Sequence, residues 1–172
     1  MPSDAASLLD MRTRNRDFFE PWEPDQSSQL FTLDGMTRDI EQRRRDWAAD
    51  RRYSFLIEDD HGGCIGGIIL SNVIRGAFQN ATVGYYVDEG NNGRGVATEA
   101  LKQIVRFAFE EIGLHRVEAS VMDHNARSKR VIAKAGLRHI GFAPRYLKLA
   151  GDWQDHHVFA ITREEWKEQG AG

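Results

Sequence analysis

The chain has 172 residues, 41% of them hydrophobic and 28% charged, with a formal net charge of -3. This is the balance of one folded domain spanning 1–172 with a sizeable core, and it offers no general attraction to nucleic acid. No run approaches 18 uninterrupted apolar residues, and Met1-Pro2-Ser3-Asp4-Ala5-Ala6 lacks the regions of a secretory leader, so the expectation is a cytoplasmic protein without a membrane partner. The pattern first predicts a helix over 4 to about 15, with Ala5, Leu8, Leu9 and Arg12 at helical spacing. Phe18-Phe19-Glu20-Pro21-Trp22-Glu23-Pro24 carries two prolines and reads as an aromatic-rich loop. A polar helix is expected over 37–52, with Ile40 and Trp47 inward, and its basic clusters read as a solvated face.

Strands are expected over 53–58, 64 to about 74, and 81–87, the first two joined by the turn Asp59-Asp60-His61-Gly62-Gly63. Gly66-Gly67 inside the second strand predicts a bulge or a close backbone approach. Ala97, Ala100, Leu101, Ile104, Ala108 and Ile112 form a helical stripe that Gly113 ends. Each large member buried contributes roughly 1.5–3 kcal/mol. A strand over 115–121, a helix over 128–135, strands near 137–149 and 154–161, and a last helix opened by the capping box Thr162-Arg163-Glu164-Glu165 complete the order. Two crossover helices imply a mixed α/β sheet with helices on both faces. Cys64 has no partner for a disulfide and sits in an apolar run, so it reads as a buried structural thiol; His61 and Cys64 lack a second ligand pair, and no metal is expected.

The segment Asn92-Gly93-Arg94-Gly95-Val96-Ala97-Thr98-Glu99 follows a strand and opens the striped helix. A helix N-terminus has N–H groups without helical partners and a partial positive charge, and glycines admit a bulky anion to the backbone. It matches neither the nucleoside triphosphate P-loop nor a full G-x-G-x-x-G, since Thr98 takes the third glycine position.

With these residues in place, the chain resembles the GNAT acyl-CoA N-acetyltransferases. Their Q/R-x-x-G-x-G/A motif is matched by Asn92-x-x-Gly95-x-Ala97, and Asn125-Ala126-Arg127-Ser128 with Ala135-Gly136 is similar to the family's second cofactor element. Within the family it looks most like the RimJ branch, the ribosomal-protein alanine N-acetyltransferases. Pro21-Trp22-Glu23-Pro24, Ser71-Asn72-Val73-Ile74-Arg75-Gly76-Ala77-Phe78, Tyr146-Leu147 and Gly151-Asp152-Trp153-Gln154-Asp155-His156 carry that likeness, which covers about residues 4–166. Three features depart from the pattern. Asn92 replaces Gln or Arg, Arg145 stands where relatives often have a carboxylate, and the chain opens almost at the helix where relatives have a preceding strand.

The resemblance implies a GNAT fold, a mostly antiparallel sheet in which the strand before the phosphate loop splays from its neighbour. It implies acetyl-CoA as co-substrate, with the backbone of Tyr86 and Val87 toward the acetyl and pantetheine groups. Gly93, Arg94, Gly95, Val96, Ala97 and Thr98, beside Asn92, Asn125 and Ser128, would hold the rest of the cofactor. Acetyl transfer to an amine needs a neutral amine, a donor to the developing oxyanion and a proton or hydrogen bond for the leaving thiolate. Ser128 is the candidate donor to sulfur, or else an N-cap; Tyr146 is a second acid candidate, or else a packed aromatic. Glu118 is a base candidate or an ion-pair partner of Arg116 or Arg138, and Asp155 and His156 are further base candidates. Trp22, Arg75, Phe78 and Trp153 are the candidate acceptor contacts.

Three functional readings stay open at this point. The leading one is acetylation of a protein N-terminal α-amine, with a ribosomal protein beginning in alanine as the implied acceptor and the ribosome and a second copy of the chain as candidate partners. The others are acetylation of a small amine such as an antibiotic or polyamine, and a non-catalytic acyl-CoA-binding or ribosome-associated module.

Overall fold

The computed structural model describes residues 2–24, 26–149 and 151–170. Helix α1 (Pro2–Arg14) leads into a four-residue helix α2 (Arg16–Phe19), short 3-10 turns at Glu20–Trp22 and Ser28–Phe31, and α3 (Leu33–Ala48). Then follow β1 (Tyr53–Glu58), β2 (Cys64–Ile74), β3 (Asn80–Val87), α4 (Val96–Glu110), β4 (Arg116–Met122), α5 (Ala126–Lys134), β5 (Arg138–Leu149), β6 (Asp152–Thr162) and α6 (Arg163–Gly170).

Three local readings differ from expectation. The aromatic segment is not a plain loop: α2 carries the chain to Phe19, and Pro21 lies in the first turn of the 3-10 segment, where its missing N–H has no helical acceptor to lose. Helix α3 starts at Leu33, earlier than expected, because the Thr32 hydroxyl accepts the Gly35 N–H at 3.1 Å and caps it. Helix α5 starts at Ala126, capped by Asn125. The last capping box forms as expected: the Thr162 N–H donates to Glu165 at 2.8 Å and the Glu165 N–H returns to the Thr162 hydroxyl at 3.4 Å.

One six-stranded sheet runs in the order β1-β2-β3-β4-β6-β5. Every neighbouring pair is antiparallel except β3 and β4. That parallel pair holds register only at Asn80 with Arg116, Ala81 with Val117 and Thr82 with Glu118. Beyond Thr82 the strands part, and residues 83–87 of β3 remain paired to β2 alone. This is the splay that the resemblance implied.

The helices occupy both faces. Leu101, Ile104, Val105 and Ala108 of α4 and Ile132 of α5 pack on Leu70, Val83, Val117 and Ile161 in the larger core. Ala5, Leu8, Met11, Phe19 and Met36 pack with Cys64 on the other face. Cys64 is buried there, as expected, and burial pushes its thiol pKa up. Gly66 has both expected features: a Cβ at that position would come within 2.5 Å of the Tyr86 carbonyl oxygen, and the β1–β2 register shifts beside it, Ile57 pairing with Gly66 and Glu58 with Cys64. A second irregularity of β2 lies at Ser71/Ile74. Among the described residues, no helix is long and apolar enough to cross a membrane.

Candidate active site

The parting of β3 and β4 defines the site, because it turns two strand edges toward a common gap. Many of the candidate residues lie toward its open end, where β3 runs into the glycine loop and β4 into α5.

On the phosphate side, Gly95 is the N-cap of α4 with φ 84°, and Gly93 has φ 77°. Both values lie in the left-handed region where a side chain is strained. The first helical bond of α4 is Glu99 N–H to Gly95 C=O at 3.0 Å, so the amides of Val96, Ala97 and Thr98 precede it without a helical acceptor. No side chain caps this end, and a Cβ at Gly95 would meet nothing within 4 Å. The result is an open ring of donors at the positive end of a 15-residue helix, with exposed Arg94 beside it. These residues suit a diphosphate. The Asn92 side-chain amide donates back to the carbonyls of Asp88 at 3.2 Å and Glu89 at 3.3 Å, bracing the loop.

Ser128 lies across the gap from this loop. Asn125, and not Ser128, is the N-cap of α5; its Oδ1 accepts the Ser128 N–H at 3.0 Å. The Ser128 hydroxyl is therefore released from capping and lies 2.7 Å from the hydroxyl of Tyr85 on β3. This contact joins β3 to α5, the helix that follows β4. Burial pushes the Tyr85 phenol up to about 12, against the hydrogen bond to Ser128, which lowers it. Tyr85 is thus neutral at physiological pH, with its hydroxyl also 3.4 Å from the Ser128 carbonyl. When it donates to Ser128 Oγ, the serine proton is free to point elsewhere. Sequence reasoning missed Tyr85, which is one member of an ordinary strand pattern. Its neighbour Tyr86 points to the opposite face, under Arg12 with 4.9 Å from guanidinium to ring and 5.6 Å from the Phe19 ring.

The other face of the gap carries Glu118, Ser120 and Met122 of β4, continued by His156 of β6, which pairs with Met122. Glu118 lies toward the closed end, and its carboxylate accepts from Arg116 Nε at 2.7 Å. That is the ion-pair outcome, and it takes up the charge a base would use. Asp155 is likewise engaged: it accepts the backbone N–H of Arg145 at 2.7 Å, holding that residue at φ 50° within a break of the β5–β6 register. His156 is different. It is 2% exposed, and its Nδ1 faces the Gln154 carbonyl at 2.9 Å, which requires a proton on Nδ1 and leaves the lone pair on Nε2. Tyr146 lies over it, with ring centroids 5.7 Å apart.

The acceptor candidates divide. Trp22 reaches the open end, its ring 5.5 Å from that of His124 in the β4–α5 connection. Trp153, 61% exposed, stands on the projecting β5–β6 hairpin. Arg75 and Phe78 lie in the β2–β3 connection, beside the closed end where Asn80 pairs with Arg116. The Arg75 guanidinium is occupied there, donating to Asp50 at 2.5 and 2.6 Å and to the Ile112 carbonyl at 2.6 Å. It ties the β2–β3 connection to the end of α4 and does not join the other site residues.

Comparison with known proteins agrees with this geometry. Residues 1–138 match the family described as acetyltransferase (GNAT) domain. The probable N-acetyltransferase YjcK of Bacillus subtilis is 40% identical over 166 residues, 95% of this chain and 91% of that protein. The [ribosomal protein uS5]-alanine N-acetyltransferase of Escherichia coli is 33% identical over 169 residues, 95% of this chain and 84% of that protein. Among solved structures, Mycobacterium smegmatis RimJ in complex with CoA-disulfide superposes with a TM-score of 0.91 at 32% identity, covering 99% of this chain and 85% of that one. The ribosomal-protein-S5-alanine acetyltransferase from Vibrio fischeri gives a TM-score of 0.91 at 29% identity, covering 96% and 91%. The chain belongs to the GNAT acetyltransferases, and RimJ enzymes are among its near relatives in both sequence and structure.

Proposed function

We propose that this enzyme transfers an acetyl group from acetyl-CoA to the α-amine of a protein N-terminus, with alanine of a ribosomal protein as the acceptor. The observation that carries the reading is the Tyr85–Ser128 contact of 2.7 Å between β3 and α5, one helix away from an open phosphate cradle. Acetyl-CoA would supply the activated acyl group. The chain supplies the rest. The amides of Val96, Ala97 and Thr98 hold the diphosphate, and the β3 backbone at residues 83–87 offers hydrogen-bonding groups along the gap. Ser128 donates to the leaving sulfur, positioned and polarised by Tyr85. That hydrogen bond strengthens as negative charge grows on sulfur, so it favours the transition state over the ground state.

His156 is the group in this reading that takes the amine proton, directly or through water, because its Nε2 lone pair is uncommitted among the described residues. The demand on it is modest for an α-amine. With a pKa near 7.7–8.0, roughly a tenth of such an amine is neutral at pH 7, against about 0.04% of a lysine.

The test is intact-mass spectrometry of paired peptides incubated with acetyl-CoA. One has a free N-terminal alanine; the other has a blocked end and an internal lysine. The expected product is acetylated alanine, with kcat/KM rising with pH and levelling near pH 8. Faster acetylation of the blocked peptide, or of a free polyamine, would move the acceptor to side-chain or small amines.

A further inference from the structure

Gly84 is the one glycine of β3, and nothing among the described residues requires it. A glycine inside a strand weakens it, because it has no side chain to pack and more backbone freedom to lose on folding. Two internal causes can demand one, a positive φ or a crowded Cβ position. Gly66 and Gly67 of β2 have the second cause. A Cβ at either would collide with Tyr86, at its carbonyl oxygen and its hydroxyl respectively. Gly84 has neither cause. Its φ is not positive, and a Cβ there would meet nothing within 4 Å. It is exposed although β3 lies inside the sheet, between β2 and β4.

The parting of the strands accounts for that exposure. Thr82 is the last residue of β3 in register with β4. Gly84 is the next residue on the same face, and the first there without a β4 partner. Ile69 of β2 pairs with it on the other side. Across the gap this face continues through Glu118, Ser120 and Met122 of β4 to His156 of β6. Tyr85 and Ser128 lie on the opposite face, where α4 and α5 pack. The donor to sulfur and the group that takes the amine proton therefore address the gap from opposite sides. The amine comes in on the side of Gly84.

We propose that Gly84 is a specificity-determining residue: the first residue of the acceptor stands over it, and the space left by the missing side chain is the room for the acceptor's own small side chain. The assignment rests on the α-amine reading above. Thr82 and Tyr86 bound the space along β3, since alternate residues share a face. Tyr86 is held away from it by Arg12, 4.9 Å from guanidinium to ring, and by Phe19 at 5.6 Å between rings. A methyl group supplied by the protein at position 84 and the β-carbon of an incoming alanine would claim the same volume.

The variants are Gly84→Ala and Gly84→Val, assayed with acetyl-CoA and two peptides that differ only in their first residue, alanine or glycine. A side chain on a strand with an allowed φ should leave Tm equal to the parent's or higher. CoA affinity by calorimetry should be unchanged. The ratio of kcat/KM for the alanine peptide to that for the glycine peptide should fall at least about tenfold in Gly84→Ala, mainly through KM, and further in Gly84→Val. A structural role alone would not move this ratio, because both peptides meet the same protein. If Gly84→Val melts lower than the parent, Gly84→Ala alone decides. An unchanged ratio with both peptides acetylated overturns the assignment and leaves the α-amine reading standing. A fall in CoA affinity would place Gly84 against the co-substrate and overturn it as well. A parent that acetylates a polyamine and neither peptide overturns the α-amine reading and the assignment together.

Discussion

Replacing Gly95 with alanine separates the cost of a strained backbone from the loss of a ligand site. Gly95 has φ 84°, so the substitution should destabilise the fold by about 1–2 kcal/mol from left-handed strain. A Cβ there meets nothing within 4 Å, so no steric term within the protein adds to this. For a chain of this size the penalty corresponds to a fall in Tm of roughly 2–8 °C. The effect on cofactor binding should be larger. The new methyl group stands beside the amides of Val96, Ala97 and Thr98, where a diphosphate must approach closely. Losing one charge-assisted hydrogen bond, about 1.5–3 kcal/mol, weakens binding roughly 10- to 150-fold. Calorimetry with CoA, run well below Tm, measures the second effect, and a thermal scan measures the first. Gly90→Ala is the control, since its Cβ also meets open space and its φ is not positive. CoA affinity equal to the parent's in Gly95→Ala would refute the cradle. A collapse of Tm by more than about 10 °C would show that the strain argument understates the loop's structural role.

Ser128→Ala should lower kcat about 100-fold while leaving CoA affinity unchanged, and Tyr85→Phe should cause a smaller loss in the same direction; a change in Tm alone would reduce the pair to a packing contact. Because Tyr85 titrates only near 12, the kcat/KM profile should show no change assignable to it below pH 10, and a kinetic limb at pH 8–9 that Tyr85→Phe abolishes would contradict its neutral-donor role. Arg75→Ala should lower Tm by a few degrees with peptide kinetics intact, whereas a rise in KM would return Arg75 to the acceptor site. The Arg75 hydrogen bonds, and after them the Tyr53 hydroxyl, hold the Asp50 carboxyl below the ordinary carboxylate range, with burial opposing. A depressed folded pKa contributes stability above about pH 4 and loses it as pH falls through the folded value, so melts of parent and Asp50→Asn should differ at pH 7 and converge in acid.

The phosphate loop was legible because its signal is local: two glycines, a short chain of donors and a striped helix lie within one contiguous segment. The splay was not legible from alternation, since residues 83–87 stay paired to β2 and keep a strand's pattern whether or not β4 lies beside them. Tyr85 drew no notice for that reason, since its contact is with a hydroxyl 43 positions away in sequence. The ion pair of Arg75 was equally out of reach, because its partner Asp50 lies 25 positions back in sequence, just past the end of α3. His156 was one of several base candidates, and what sets it apart, the contact of its Nδ1 with the Gln154 carbonyl, depends on side-chain orientation. The early start of α3 had a cue in Thr32, a residue suited to an N-cap.

The short β3–β4 register makes the sheet a garment with an unfinished seam. One panel is β1-β2-β3, the other β4-β6-β5, and three residue pairs at one end stitch them together, with Tyr85 and Ser128 as a single fastener further along. Any acyl carrier that threads the opening must complete hydrogen bonds that a closed sheet would have made for itself. Occupancy therefore joins the two panels as well as placing a reactive group. A ligand at 100 times its Kd stabilises the folded chain by about 2.7 kcal/mol whatever its contacts. Here that gain should appear as amide exchange slowing on both sides of the seam together, with empty protein breathing along the same line.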